Sequence, residues 1–220
     1  PLQDLTIGKH PSVSFILPYK PSGLDQTLDT IKSIQNLQVN SWDIYVDTDE
    51  PDFPPGIKNS KEIKQINLKK DEFQNVIAGE YVVFSQPGDI FYEGFLYHFY
   101  QHYYDDPDSR VFYYDCEYFD VEAKHWIPIF KPQIPSPALL LSTNIFSRSI
   151  INVNEINKIW PLIEPGQDYE AREYELALRL YENDVKFKHI PELLASQISP
   201  VTSRPPGNTH AIYQHLSRQG

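Results

Sequence analysis

Two hydrophobic rhythms alternate along this chain. "VSFILPY" (13–19) is a continuous apolar, β-branched and aromatic run bounded by proline, the pattern of a buried strand. In the next segment, "SGLDQTLDTIKSIQNL", Leu24, Leu28, Ile31 and Ile34 return at helical spacing, with Ser22 placed to cap the first turn. "WDIYVD" (42–47) predicts a second strand running into the acidic loop "DTDEPDFPPG", and "EIKQINL" a short third. "FQNVIAGE" predicts a helix stopped by Gly79, and "YVVFS" the strand after it. A polar turn, "QPGD" (86–89), separates that strand from a helix starting near Tyr92.

Farther on, "SRVFYYDCEYFD" reads as a strand, and "KHWIPIFKPQIPSPALLLSTNIFSR" as a proline-rich irregular stretch that turns apolar. "DYEAREYELALRLYEND" is a strong helix, and "KFKHIPELL" a last short strand and turn. Strands alternating with helices predict an α/β fold: one mainly parallel sheet with helices on its faces, in a single domain over residues 1–199. The closing segment, 200–220, reads as a Pro/Gly-rich linker and a short helix with little to pack on, leading to further domains of a longer protein.

Open sheets of this kind bind ligands beyond the carboxyl ends of their strands. Here those ends carry Pro18-Tyr19-Lys20, Asp47-Thr48-Asp49, Gln86-Pro87-Gly88-Asp89 and Asp115-Cys116-Glu117. A solvated turn explains any one of them. Four together point to a shared rim.

Composition narrows the partners. At 220 residues, with 40% hydrophobic and 22% charged, the chain is sized for one full core. Its net charge of −11 argues against nucleic acid, whose binding needs Lys and Arg to displace counterions. No apolar run reaches the roughly 20 residues of a membrane span. The single cysteine, Cys116, excludes an internal disulfide and fits a reducing, cytoplasmic setting. Methionine is absent, as in a processed chain or an excised domain.

The order of segments resembles the family 2 glycosyltransferases. "VSFILPYK…LDQTLDTIKSIQN…WDIYVD" is similar to that family's opening, and "GEYVVFSQPGDIFYEGFL" to its "G-E-Y-…-L-D-x-D-D-…-P-x-x-L" stretch. "FYYDCEYFD", "FKPQIPSPALLLSTN", "REYELALRL" and "KHIPELL" are similar to later motifs in the family's order, so the likeness runs from about Val13 to Leu194. It implies a GT-A fold and inverting transfer of a sugar from a nucleotide-diphosphate sugar to a glycan acceptor, in polysaccharide or glycoconjugate synthesis. It further implies that Pro18, Tyr19, Asp47 and Asp49 line the nucleotide pocket. The 86–89 turn would face the diphosphate and a Mg²⁺ or Mn²⁺ ion held through Asp89, and Glu173 would be the general base.

The motifs depart from the family's pattern at informative places. Gln86 and Gly88 stand where two of three acids are expected, leaving Asp89; Gln86 is able to hydrogen-bond a ribose instead. Glu173 replaces an aspartate, with Asp168 and Glu175 as fallback bases. The glycine loop expected before the base helix is replaced by "NVNEINKIWPLIEPG", in which Trp160 is either a platform for an acceptor sugar or a buried core residue, and "ASQIS" stands where many relatives carry "H-W-R". Asp115 and Glu117 are candidate acceptor or metal contacts, and His189 reads as structural. Two functions fit: an active transferase, or a degenerate GT-A domain that binds a nucleotide, a glycan or a protein without catalysis.

Overall fold

A computed structural model describes residues 10–50, 57, 62–69, 72–120, 122–164, 169–197 and 208–219. Nine strands and seven α-helices follow one another among these residues. They are β1 (Val13–Pro18), α1 (Leu24–Gln35), β2 (Trp42–Asp47), β3 (Ile63–Ile66), α2 (Phe73–Val76), β4 (Tyr81–Phe84), β5 (Ile90–Phe91) and α3 (Phe95–Asp105). The second half holds β6 (Val111–Asp120), β7 (His125–Ile129), α4 (Pro137–Ser142), β8 (Ile150–Asn152), α5 (Val153–Ile159), α6 (Tyr169–Glu182), β9 (Phe187–Gln197) and α7 (Asn208–Gln219).

The sheet order is β3-β2-β1-β4-β8-β6-β9-β5, with β7 paired to β6. β3, β2, β1 and β4 run parallel; β8 is antiparallel to both β4 and β6, which returns β6 and β9 to the direction of β1. Six strands therefore present their carboxyl ends on the same side.

Alternation along the strands divides the core between the two sheet faces. Phe15, Leu17, Ile44, Val46, Tyr81, Val83, Phe112 and Tyr114 face a layer that includes Ile31 and Ile34 of α1 and Phe95, Leu96 and Phe99 of α3. Their neighbours Ile16, Tyr45, Val82, Phe84 and Val111 face Ile156 and Ile159 of α5 and Leu176 and Leu180 of α6. At about 25 cal/mol per Å² of apolar surface removed from water, these two layers are the main favourable term in folding.

Several local expectations change. Ser22 lies in a 3₁₀ turn (Pro21–Gly23), so α1 begins at Leu24 with Gly23 at its N-cap and no side-chain cap. The helix expected to stop at Gly79 is the single turn of α2. Gly79 is needed for another reason: a Cβ there would stand 2.3 Å from Ser14 Oγ and 2.9 Å from Ser14 N. The stretch expected to be irregular contains β7, an edge strand that tolerates Pro128 because it pairs only with β6.

β9 continues through "ASQ" to Gln197, well past the short strand expected. The closing helix also has a surface to pack on. Ala211 and Ile212 of α7 meet Tyr174 and Leu178 of α6, while Arg218 and His215 pair with Glu182. No described helix is long and apolar enough to cross a membrane.

Candidate active site

The turn after β4 is built by its own residues. Asp89 N–H donates to the Gln86 carbonyl at 3.0 Å, and Gly88 takes φ 92°, the left-handed position that Pro-Gly turns of type II require. Gln86 N–H closes the turn on Asp89 Oδ2 at 2.8 Å. Asp89 is thereby drawn inward, to 1% exposure.

A second residue reaches the same oxygen. Arg148 Nε lies 3.0 Å from Asp89 Oδ2, and the Arg148 main-chain N–H donates to Glu173 Oε1 at 2.6 Å. Arg148 sits in the turn before β8 with φ 58°, a left-handed conformation that costs an arginine roughly 1–2 kcal/mol. That conformation lets its N–H point at α6 while its side chain points at the β4 turn. Glu173 in turn is buried in the second residue row of α6, on the stripe that carries Leu176 and Leu180 into the core.

The electrostatics follow from burial. Desolvation pushes the Glu173 carboxyl up to about 7; the Arg148 charge and N–H oppose the rise, and Asp89 and Glu170 add to it. Its Oε2, like Asp89 Oδ1, is buried without a hydrogen-bond partner among the described residues. Lys131, also buried, donates Nζ to the Ser147 carbonyl at 3.3 Å; burial lowers its pKa, with the Arg148 charge acting in the same sense. Tyr114 lies within the same field, its phenol raised by burial and by the charges of Asp89 and Glu173.

The nucleotide side of the rim is organised around Asp47. Its Oδ1 accepts the Leu68 N–H at 2.8 Å, and its carbonyl accepts the Tyr19 N–H at 2.9 Å. Pro18 pairs with Asp47 in the β1–β2 register. Burial raises the Asp47 pKa, while the Leu68 N–H and then the Arg172 charge pull it down. Tyr169, at the start of α6, donates its hydroxyl to the Ile16 carbonyl at 3.1 Å, and the charges of both Asp47 and Glu173 act on it. The amino end of α6 is thus tied to the carboxyl ends of β1 and β2. Asp47, Asp89 and Glu173 share one edge of the sheet.

Other candidates are placed differently. Asp49 makes an exposed ion pair with Lys69 at 3.2 Å, and Gln86 Nε2 is buried without a partner among the described residues. Asp115 sits at a bulge within β6, where its Oδ1 meets the Lys131 N–H and His189 Nε2, each at 2.8 Å. Those contacts hold Asp115 and His189 together at the β6–β9 bulge. Glu117 accepts the Tyr92 hydroxyl. Trp160, expected as an acceptor platform, is only 7% exposed: it stacks on Phe84 and contacts Phe73, with the Arg172 guanidinium 4.0 Å over its ring. It is a core residue that carries Arg172. The fallback base Glu175 is fully buried and paired with Arg179 at 2.8 Å, and Asp168 lies outside the described residues.

Arg148 and Arg172 are the residues that sequence reasoning missed. Nothing in the helical pattern of "DYEAREYELALRLYEND" distinguishes Arg172 from a surface charge; it is 6% exposed, with Nε unpartnered among the described residues. For Arg148 the only signal was a lone charge inside "NIFSRSII".

A divalent cation of the Mg²⁺ type requires oxygen ligands, and one or two carboxylates suffice when phosphates complete the shell. The β4 turn supplies one carboxylate, and its Oδ2 already faces a guanidinium at 3.0 Å. Among the described residues no cluster of three or more His, Cys, Asp or Glu is arranged to hold a metal. As arranged, the donor set does not fit the expected ion.

No protein-family model and no curated protein matches the chain. Solved structures do. TarS 1–349 of S. aureus in complex with UDP matches with a TM-score of 0.68 at 12% identity, over 94% of this chain and 65% of that one. The same fragment in complex with UDP-GlcNAc gives 0.66 at 12%, over 93% and 64%. S. aureus TarS without the truncation gives 0.69 at 12%, over 94% and 39%. This chain therefore spans less than two thirds of the length of the structures it matches. The likeness establishes the fold, a GT-A-like single α/β domain.

Proposed function

We propose that the chain transfers a sugar from a nucleotide-diphosphate sugar to a glycan hydroxyl, with inversion. The observation that carries this reading is the join of Asp89 and Glu173 through Arg148 in a GT-A-like fold, with Tyr169 lying in the field of both Asp47 and Glu173. Solved structures of that fold include one with UDP and one with UDP-GlcNAc, which supports a nucleotide-sugar donor.

In this reading Asp47, with Pro18 and Tyr19, holds the base and Asp89 faces the diphosphate. The acceptor oxygen attacks the anomeric carbon from the face opposite the diphosphate. As the new C–O bond forms, the bond to the phosphate oxygen breaks and the diphosphate leaves with the electron pair. Glu173 takes the acceptor's proton on Oε2, the oxygen that Arg148 leaves free. A base of pKa about 7 is matched to that task near neutral pH.

The test is to incubate the chain with UDP-, GDP- and dTDP-sugars and a glycan mixture while following release of nucleoside diphosphate. Release with one nucleotide class, dependent on acceptor, is the expected result. If none of the three diphosphates binds, the reading fails. Binding without turnover would leave the non-catalytic module.

A further inference from the structure

We propose that Arg148 takes the place of a divalent cation, so that this chain binds the diphosphate of its donor without metal. The inference rests on the donor-site reading above and names the group that neutralises the donor's charge.

Four observations lead to it. The turn expected to hold a metal has lost two acids to Gln86 and Gly88. Its remaining carboxylate is paired to a guanidinium whose side chain is 10% exposed, so a fixed positive charge already stands where an ion would be needed. A dication brought to Asp89 Oδ2 would displace Arg148 or stand beside it against strong repulsion.

Second, Nε is the only side-chain nitrogen of Arg148 committed to a described residue. The two Nη groups make no hydrogen bond among the described residues, and neither is an unpartnered atom fully shut off from solvent. A guanidinium fixed at Nε, with its other edge open, has the fork geometry that binds phosphate oxygens in pairs.

Third, the backbone is strained to put it there. Arg148 adopts φ 58° where glycine or asparagine would do so more cheaply, and its N–H is anchored on Glu173. Fourth, the site has a second buried cation: Lys131 acts on Arg148 through space and is anchored to the neighbouring Ser147 carbonyl. Its charge is set against Asp115 and Glu173.

The experiment is calorimetric titration of the intact chain with UDP, GDP and dTDP, and with the corresponding nucleosides, in EDTA and in Mn²⁺. Expected for the diphosphate that binds is an affinity in EDTA within about threefold of that in Mn²⁺. Arg148→Gln should weaken that diphosphate at least tenfold and leave the nucleoside within twofold, with Arg148→Lys in between. Tightening of tenfold or more by Mn²⁺ would overturn the inference while leaving the donor site intact. So would equal loss of diphosphate and nucleoside in a folded Arg148→Gln protein. The comparison of EDTA with Mn²⁺ needs no variant and decides the matter even if Arg148→Gln does not fold. Failure of every diphosphate to bind in either buffer would remove the donor-site reading, and this inference with it.

Discussion

The main-chain N–H of Arg148 donates to Glu173 Oε1 at 2.6 Å. A residue in the turn before β8 thereby fixes one oxygen of a carboxylate on α6 and leaves the other unpartnered among the described residues. The same residue reaches the β4 turn through Asp89. One arginine joins three segments that are far apart in the chain, and the chemistry proposed for the site depends on that join.

The protonation of Glu173 should be visible twice. Its carboxyl is raised in the folded state, from 4.5 to about 7. Across that window the native protein holds a proton that the unfolded chain has released, so stability falls as pH rises, by ~3 kcal/mol at most. Glu173→Gln removes this dependence and should be the more stable protein at pH 8, the two converging near pH 4 in urea titrations. If Glu173 is the base, kcat/KM rises with pH through about 7, and Glu173→Gln loses ~10²–10⁴-fold in turnover. Unchanged turnover would reject the assignment.

Gly79→Ala tests the close approach of α2's exit to β1. The added methyl would overlap Ser14 Oγ and crowd Ser14 N, so the strand must shift. A loss of about 1–3 kcal/mol is expected from the urea midpoint. Adding Ser14→Ala should recover only part of it, because the main-chain nitrogen at 2.9 Å remains.

Asp115→Ala should act on stability more than on acceptor binding. It strips the acceptor from the Lys131 N–H and from His189 in a buried setting, at a cost of about 2–4 kcal/mol. Asp115→Asn, which keeps an acceptor oxygen, should recover about half. A folded Asp115→Ala protein that had lost acceptor binding alone would favour the acceptor contact expected from the sequence.

The docking of α7 on α6 should weaken in acid. Burial raises the Glu182 carboxyl, but the Arg218 and His215 partners outweigh it and hold the pKa below the usual value. Its stabilising share is therefore present above the ordinary glutamate range and lost as pH falls through the lower, folded value. Glu182→Gln should cost about 1 kcal/mol near neutral pH, with the gap from the parent closing as acid is added. A gap independent of pH would mean that packing of Ala211, not charge, holds the helix.

Much of the architecture is readable from local pattern. The runs at 13–18, 42–47, 81–84 and 111–120 became strands, and the stripe Leu24, Leu28, Ile31, Ile34 became α1. β7 was hidden by Pro128, since nothing local says that a proline-bearing strand will sit at an edge. Trp160 looked available to a sugar because its segment stands where a glycine acceptor loop is expected; its burial comes from Phe84 and Phe73, which only the fold brings near.

By itself the sequence determined the strand and helix periods and the acids near the strand ends, because those depend on neighbours along the chain. The tertiary structure alone decided that Arg148 would stand between Asp89 and Glu173, and that Arg172 would lie over Trp160 beside Asp47. The first follows from inserting an antiparallel β8 next to β4 and from the turn that precedes it, the second from packing α6 against the turn after α5. Strand order and a single left-handed φ leave no mark in hydrophobic period, so no reading of the chain by segments could have supplied them.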